Sequence, residues 1–380
     1  MIKIATVRES NAQGKRLSGL VAVFVGGTNG IGESTAKEFF LRSTAPRAYI
    51  VGRNATRGEA LVAKLHAINP QGAAYFLQCD ISLLRNVDEL CADLLRREAK
   101  IHCLFLTAGY MTLRGRTETD EGIDRKMCVN YYARVRCMLN LMPALEAAAE
   151  AGELSRAITV LAAGSEGEVR LDDLDLQRDF TLHACLAHCV VMTDFMVEEL
   201  SRRHRGTSFS HSYPGTVKTG IANELSGPVR LAVKVLYAVL TPWILNVQES
   251  GERHYFQMTS QCYPAARAQK PQEGDDNDDE DKRGAGIPPP PGLGVFKAMD
   301  GTPGGGAYLL DWDGKTCGDE KVLGKYRDLD MGNLVWAHTM EVFARAEKAN
   351  ARLAKRRASA EAEGSGMRGI PDPVGWRPAS

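Results

Sequence analysis

The stretch 21–36, VAVFVGGTNGIGESTA, decides the fold. Val21 to Val25 form an apolar, β-branched run that reads as a buried strand, and ESTAKEFFL beyond it reads as an amphipathic helix. Between them Gly26, Gly27, Gly30 and Gly32 make a tight turn around Thr28, Asn29 and Ile31. A strand, a glycine turn and a helix in that order set backbone N–H groups and the positive helix end against a dinucleotide pyrophosphate. Gly26, Gly30 and Gly32 give the spacing G-x-x-x-G-x-G, distinct from the G-x-G-x-x-G of long-chain dehydrogenases.

Outward from that turn, Leu20 to about Gly220 alternates short β-rich runs with helical stretches, the pattern of βαβ units. Strands are expected at LVAVFV, AYIVG, AAYFLQC, HCLFLT, AITVLAA and SFSHSYP. Val87, Leu90 and Leu94 recur at helical spacing between two of them. The expected fold is α/β: a single Rossmann-type, doubly wound parallel sheet with a C-terminal extension. Its divisions are an N-terminal arm (1–17), a nucleotide-binding domain (18–265), an acidic and proline-rich disordered insertion (266–295), an extension with a long helix (296–363) and a tail (364–380). The insertion, containing EGDDNDDEDKRGAGIPPPPG, has too little apolar surface to pack and too much proline to pair as a strand.

The chain has 380 residues, 44% of them hydrophobic, and a formal net charge of zero. It can bury a full core, and nothing global steers it toward nucleic acid. The N-terminus lacks an apolar run of signal-peptide length, so a cytoplasmic protein is expected. Nine dispersed cysteines without a Cys-x-x-Cys pair read as reduced, buried thiols, and no metal site is expected. The oligomeric state is not legible.

The second strand ends in IVGRN. An acid at this tip bonds a ribose 2′-hydroxyl, whereas an arginine suits a 2′-phosphate, so Arg53, with Asn54 as a neighbouring donor, argues for NADP (NADPH) as cofactor. At this point the chain resembles the short-chain dehydrogenase/reductase family, whose first turn reads T-G-x-x-x-G-I-G against VGGTNGIG here, with Val25 in place of threonine. Four more stretches follow in order: CDIS, LTAG, CVNYYARV and YPGTVKT. By that resemblance Asp80 and Ile81 flank the adenine, Ala108 and Gly109 keep half of the family's N-N-A-G, and Asn130 is its helix-four asparagine. Pro214, Gly215 and Val217 lie near the nicotinamide, with Thr219 bonding its amide or a phosphate. The likeness covers about residues 18 to 222, and ESGERHYF with the C-terminal GGAYLLDWDG resembles a subgroup of fungal members tied to secondary-metabolite pathways.

The family reduces carbonyls with a serine, a tyrosine and a lysine, because hydride arriving at a carbonyl leaves an alkoxide that must be protonated or stabilised. None of the three is in place. Ala162 falls at the serine position and Leu182 and Leu186 at the tyrosine and lysine positions. No shift of alignment restores them: no tyrosine lies between Tyr132 and Tyr213, and no lysine between Lys126 and Lys218. Two readings follow. One is a reductase or dehydrogenase with Asn130 and His183 as catalytic residues, His188 as a second proton donor, and Ser165 and Glu166 as substrate contacts. The other is an NADP-binding pseudoenzyme or scaffold. The apolar run 229–245, with Pro242 inside it, is too short for a transmembrane span. It is expected to line a pocket for a small apolar organic substrate, with a packed core helix or contact to a membrane surface as the alternatives.

Overall fold

The computed structural model describes residues 1–217, 245–266 and 285–362. Seven parallel strands form one sheet in the order β3-β2-β1-β4-β5-β6-β7. They are β1 Val21–Val25, β2 Arg47–Gly52, β3 Ala73–Gln78, β4 Cys103–Leu106, β5 Arg156–Val160, β6 Ser208–Ser212 and β7 Ala307–Leu310. Helices α2 Gly30–Arg42, α3 Ala55–Ile68, α4 Leu84–Arg97, α6 Ala133–Glu150 and α7 Leu182–Arg203 connect the first six, after an opening helix α1, Ile4–Ala12, and with a short α5, Arg125–Met127, ahead of α6. Helices α8 Val247–Thr259, α9 Glu320–Asp328 and α10 Met331–Ala362 complete the described chain.

Every residue of β1 is buried, because a parallel strand is covered on both faces. Val21, Val23 and Val25 join the core under α4, α6 and α7, while Ala22 and Phe24 join the core under α2, α3 and α8. Phe24 meets Phe39 and Phe105 edge-on, each at 5.8 Å between ring centroids. The chain leaves β1 toward β2 and β3, then returns to the other side of β1 with β4. A doubly wound sheet opens its crevice at that reversal, beyond the C-terminal ends of the strands.

The six expected strands are present, and three features add to the sequence reading or alter it. β7 lies beyond the acidic stretch and pairs in parallel with β6, Phe209 against Ala307 and Ser212 against Leu310, so the C-terminal part completes the sheet. The N-terminal arm, 1–17, packs on the body: Ile2, Val7, Ser10 and Asn11 are buried, and Asn11 Nδ2 donates to Glu252 O of α8 at 2.8 Å. The stretch around the proline run, expected to be disordered, is anchored in part: Pro290 is buried, while Pro288 and Pro291 are exposed. Ile287 is 1% exposed and its N–H donates to Thr259 O at 2.7 Å, which satisfies backbone that prolines cannot. The acidic block, the tail and most of the apolar run lie outside the described residues. Eight of the nine cysteines are buried, and burial pushes the thiols of Cys79, Cys103 and Cys128 upward, which favours the thiol over the thiolate.

Candidate functional site

The cleft beyond β1, β4, β5 and β6 has a volume of about 1180 Å³. Its floor begins at the glycine turn. Gly26 has φ +89°, and a Cβ there would lie 2.4 Å from Ala108 N, so the end of β1 and the end of β4 approach as only glycine permits. Gly30 has φ +59° and opens α2, whose N-cap is Asn29, with Oδ1 accepting from Gly30 N at 2.8 Å. Gly26, Thr28, Asn29, Gly30 and Ile31 line the cleft. Gly32 does not; a Cβ on it would come within 2.5 Å of Gly26 O, so its role is to let α2 pack on the turn. A helix N-terminus behind a cradle that any Cβ would fill fits a dinucleotide pyrophosphate.

The edge of the cleft at β2 carries two exposed arginines. Arg53 follows the strand, and Arg57 stands on the first turn of α3, where Asn54 Oδ1 caps its N–H at 2.9 Å. Arg53, Asn54 and Arg57 all line the cleft, and Arg57 was not singled out from sequence. Its signal was present as a second basic residue four positions on, within the first turn after the strand. At β3, Asp80 and Ile81 also face the cleft, and the Asp80 carboxylate accepts from Ser82 N and Arg125 Nη2, each at 3.0 Å.

Ala108 and Gly109 continue β4 into the wall 109–113. Asn130 holds that wall by both ends of its amide: Oδ1 accepts from Tyr110 N at 3.2 Å and Nδ2 donates to Tyr110 O at 3.1 Å. Asn130 sits in a π-helical turn, Cys128–Tyr132, between α5 and α6. Such turns are rare and recur at functional sites.

The reaction end of the cleft departs from the acid–base set of carbonyl reduction. Leu182 and Leu186, 38% and 49% exposed, stand on the first turns of α7 beside His183, and all three line the cleft. Met111, Leu113, Leu161 and Tyr213 extend the same apolar surface. Ala162 is pinned from below: its N–H donates to His211 Nε2 at 3.1 Å, and His211 Nδ1 donates to Asp194 Oδ1 at 2.6 Å. Burial lowers His211 to about 3, so the imidazole is neutral, and burial raises the Asp194 carboxyl well above the usual range.

Arg134 lies under this end and was not foreseen. It is 2% exposed and carries no ion pair among the described residues. Its Nη1 donates to Thr159 Oγ1 and Val160 O, and Nη2 to Ala108 O, each at 2.7 Å; Nε donates to Val129 O at 3.3 Å. Four of five guanidinium hydrogens are thus used. Burial pushes its pKa down to about 10, which leaves it cationic at neutral pH. It lines the cleft one helical turn after Asn130, on the same face. A charged residue four positions after that asparagine, inside the apolar YYARVRCML, was the available signal.

Three candidates are not in the cleft. His188 is buried with both ring nitrogens used, Nε2 accepting from Arg170 N and Nδ1 facing Leu174 O, each at 3.0 Å. The Glu166 carboxylate accepts from Gly164 N and Asp319 N, so it ties its loop to the start of α9, and neither it nor Ser165 lines the cleft. Pro214, Gly215 and Val217 do line it, next to Tyr213, while Thr219 lies outside the described residues. Among the described residues no helix is long and apolar enough to cross a membrane.

Comparison with known proteins agrees with this geometry. The family model for short chain dehydrogenases matches residues 20–162. The chain is 39% identical over 341 residues to the oxidoreductase AN1596 of Emericella nidulans, covering 89% of this chain and 97% of that one. It is 33% identical to the oxidoreductase andH of Emericella variicolor, covering 86% and 92%. It is 25% identical to the short-chain dehydrogenase/reductase SAT2 of Stachybotrys chartarum, over 93% of this chain and all of that one.

Proposed function

The chain belongs to the short-chain dehydrogenase/reductase family, and on that premise we propose that it is an NADP(H)-dependent oxidoreductase acting on an apolar carbonyl or alcohol, with a non-standard group at its reaction centre. The observation that carries this reading is Arg134. A buried guanidinium set against no carboxylate is costly unless charge of opposite sign develops beside it. At the reaction end the lining above it includes the apolar side chains of Leu182, Leu186, Met111 and Leu113. A substrate oxygen that gains negative charge when its carbon accepts hydride supplies what the arginine lacks.

When bound, the nicotinamide gives or takes the hydride. The glycine turn and the start of α2 would hold the pyrophosphate, and Arg53 and Arg57 the 2′-phosphate. Asn130 orients the wall 109–113. Arg134 offsets charge on the substrate oxygen, and His183, exposed at the mouth of the cleft, passes a proton to it. The apolar lining excludes water from the developing oxyanion and takes a greasy substrate, which accords with fungal secondary-metabolite chemistry.

Two measurements test this reading. If the arginines bind a 2′-phosphate, NADPH binds at least about tenfold tighter than NADH, about 1.4 kcal/mol. Arg53→Ala then narrows that gap by calorimetric titration of both cofactors, and equal affinities in the wild type end the argument for NADP. Replacing His183 with alanine lowers turnover by roughly 10² while leaving NADPH affinity unchanged, because the loss is in the transition state. Normal turnover by His183→Ala removes that histidine from the mechanism. A protein that binds NADPH tightly yet consumes none with a panel of carbonyls and alcohols is a nucleotide-binding scaffold, the reading favoured by Ala162, Leu182 and Leu186.

A further inference from the structure

The π turn Cys128–Tyr132 presents Asn130 to the cleft and two consecutive tyrosines away from it. Tyr131 and Tyr132 are both fully buried, with their rings edge-on at 4.9 Å. Each phenol ends on α10, the long helix near the C-terminus. Tyr131 Oη lies 2.7 Å from Thr339 Oγ1, and since Thr339 already donates to Val335 O, the tyrosine is the donor. Tyr132 Oη lies 2.8 Å from His338 Nε2, and burial lowers the pKa of that imidazole, which keeps it neutral and able to accept. Phe343 closes the same pocket edge-on to Tyr132 at 6.5 Å.

A π turn forms one fewer well-packed hydrogen bond than the α-helix it interrupts, so it persists only where its surroundings hold it. Here the holding groups come from a helix about 200 residues later in the chain. The same helix also ties the loop ahead of α7, outside the cleft: Arg345 pairs with Asp175, while Arg116 donates to the carbonyls of Asp175 and Leu176. Asn350 bonds Glu121, whose carboxylate accepts from the N–H groups that open α4.

We propose that α10 is a working part of the nucleotide and substrate site: Tyr131, Tyr132, His338 and Thr339 are positioning residues that fix the π turn, and through Asn130 they fix the cleft wall 109–113. The inference rests on the cofactor reading above for its consequence but not for its geometry. Without the two phenol bonds the turn reverts toward regular helix, Asn130 rotates away from Tyr110, and the wall loses its two anchors while the glycine turn is untouched.

Hydrogen exchange followed by mass spectrometry on the full chain, with and without NADPH, tests this. The wild type shows NADPH-dependent protection at residues 26–32 and at 109–113. Tyr131→Phe with Tyr132→Phe keeps both rings and removes both hydroxyls; the expected result is exchange at 109–113 faster by about tenfold, with protection at 26–32 kept. His338→Leu reproduces the effect at 109–113, and His338→Gln, which keeps an acceptor, restores slow exchange. Should the double variant fail to fold, Thr339→Val and His338→Leu are read singly. Wild-type exchange at 109–113 in folded variants overturns the proposal, as does a rise spread evenly over all segments, which marks simple loss of stability. Absence of NADPH-dependent protection at 26–32 in the wild type defeats the cofactor reading alone, and the ligand-free exchange at 109–113 still decides the positioning role.

Discussion

Gly30→Val abolishes NADPH binding, with Kd raised at least about 10²-fold, while the protein remains folded. Gly30 opens α2 at φ +59°, a region that a β-branched residue occupies only with strain. Valine there either forces the backbone back to negative φ, turning the N–H groups of the turn away from the phosphate, or holds φ and thrusts two methyl groups into the cleft. Both outcomes remove the pyrophosphate site, and both are local because the position is only half-buried. Gly30→Ala, with less bulk, binds more weakly than wild type but measurably. Fluorescence titration with NADPH measures the loss, and circular dichroism reports the fold. A folded Gly30→Val protein with undiminished affinity would place the nucleotide elsewhere.

Arg134→Gln lowers kcat by about 10³, near 4 kcal/mol in the barrier, with NADPH affinity changed by no more than about threefold. Glutamine keeps two amide donors for the carbonyls of Ala108 and Val160 and discards the charge, so it separates electrostatics from hydrogen bonding. Arg134→Lys restores the charge without the planar fork, and part of the activity returns. The bonds to Val129 O and Thr159 Oγ1 go with the charge, and each buried acceptor left unpaired destabilises the fold by about 1–3 kcal/mol, which thermal melting reads independently of turnover. Equal kcat in Arg134→Gln and wild type would remove the arginine from the chemistry and leave it as a tie between β4 and β5.

The first six strands and the glycine turn were legible because their signals are local. A fully apolar strand followed by Gly26, Gly30 and Gly32 admits few structures, and the motifs that follow it arrive in the order the sheet requires. Arg53 was legible for the same reason, as a residue at the tip of a strand. β7 was not among the expected strands, since AYLL is four residues long and declares itself a strand only by pairing with β6. Arg134 stands in the quoted stretch CVNYYARV, yet the local sequence gives it no role. Its meaning lies in the carbonyls of Ala108, just past β4, and Val160, at the end of β5. His188 shows the converse: a titratable residue at the right spacing whose two nitrogens are spent on a loop that sequence does not place beside it. The coupling of Tyr131 and Tyr132 to α10 spans 206 to 208 positions and has no local trace.

The late arrival of β7 sets the order in which the molecule can be made. When residues 20–162 have left the ribosome, β1 to β5 are available but β6 is not, and when β6 has emerged its outer edge still waits about a hundred residues for Ala307–Leu310. During that interval a strand of the nascent sheet offers unpaired N–H and C=O groups to any neighbouring chain. β6 is poorly suited to such pairing, because Ser208, Ser210, His211 and Ser212 make it the most polar strand of the sheet. The side chains that need Tyr263 and Asp194 to satisfy them once folded also make this edge a weak template for aggregation while translation continues.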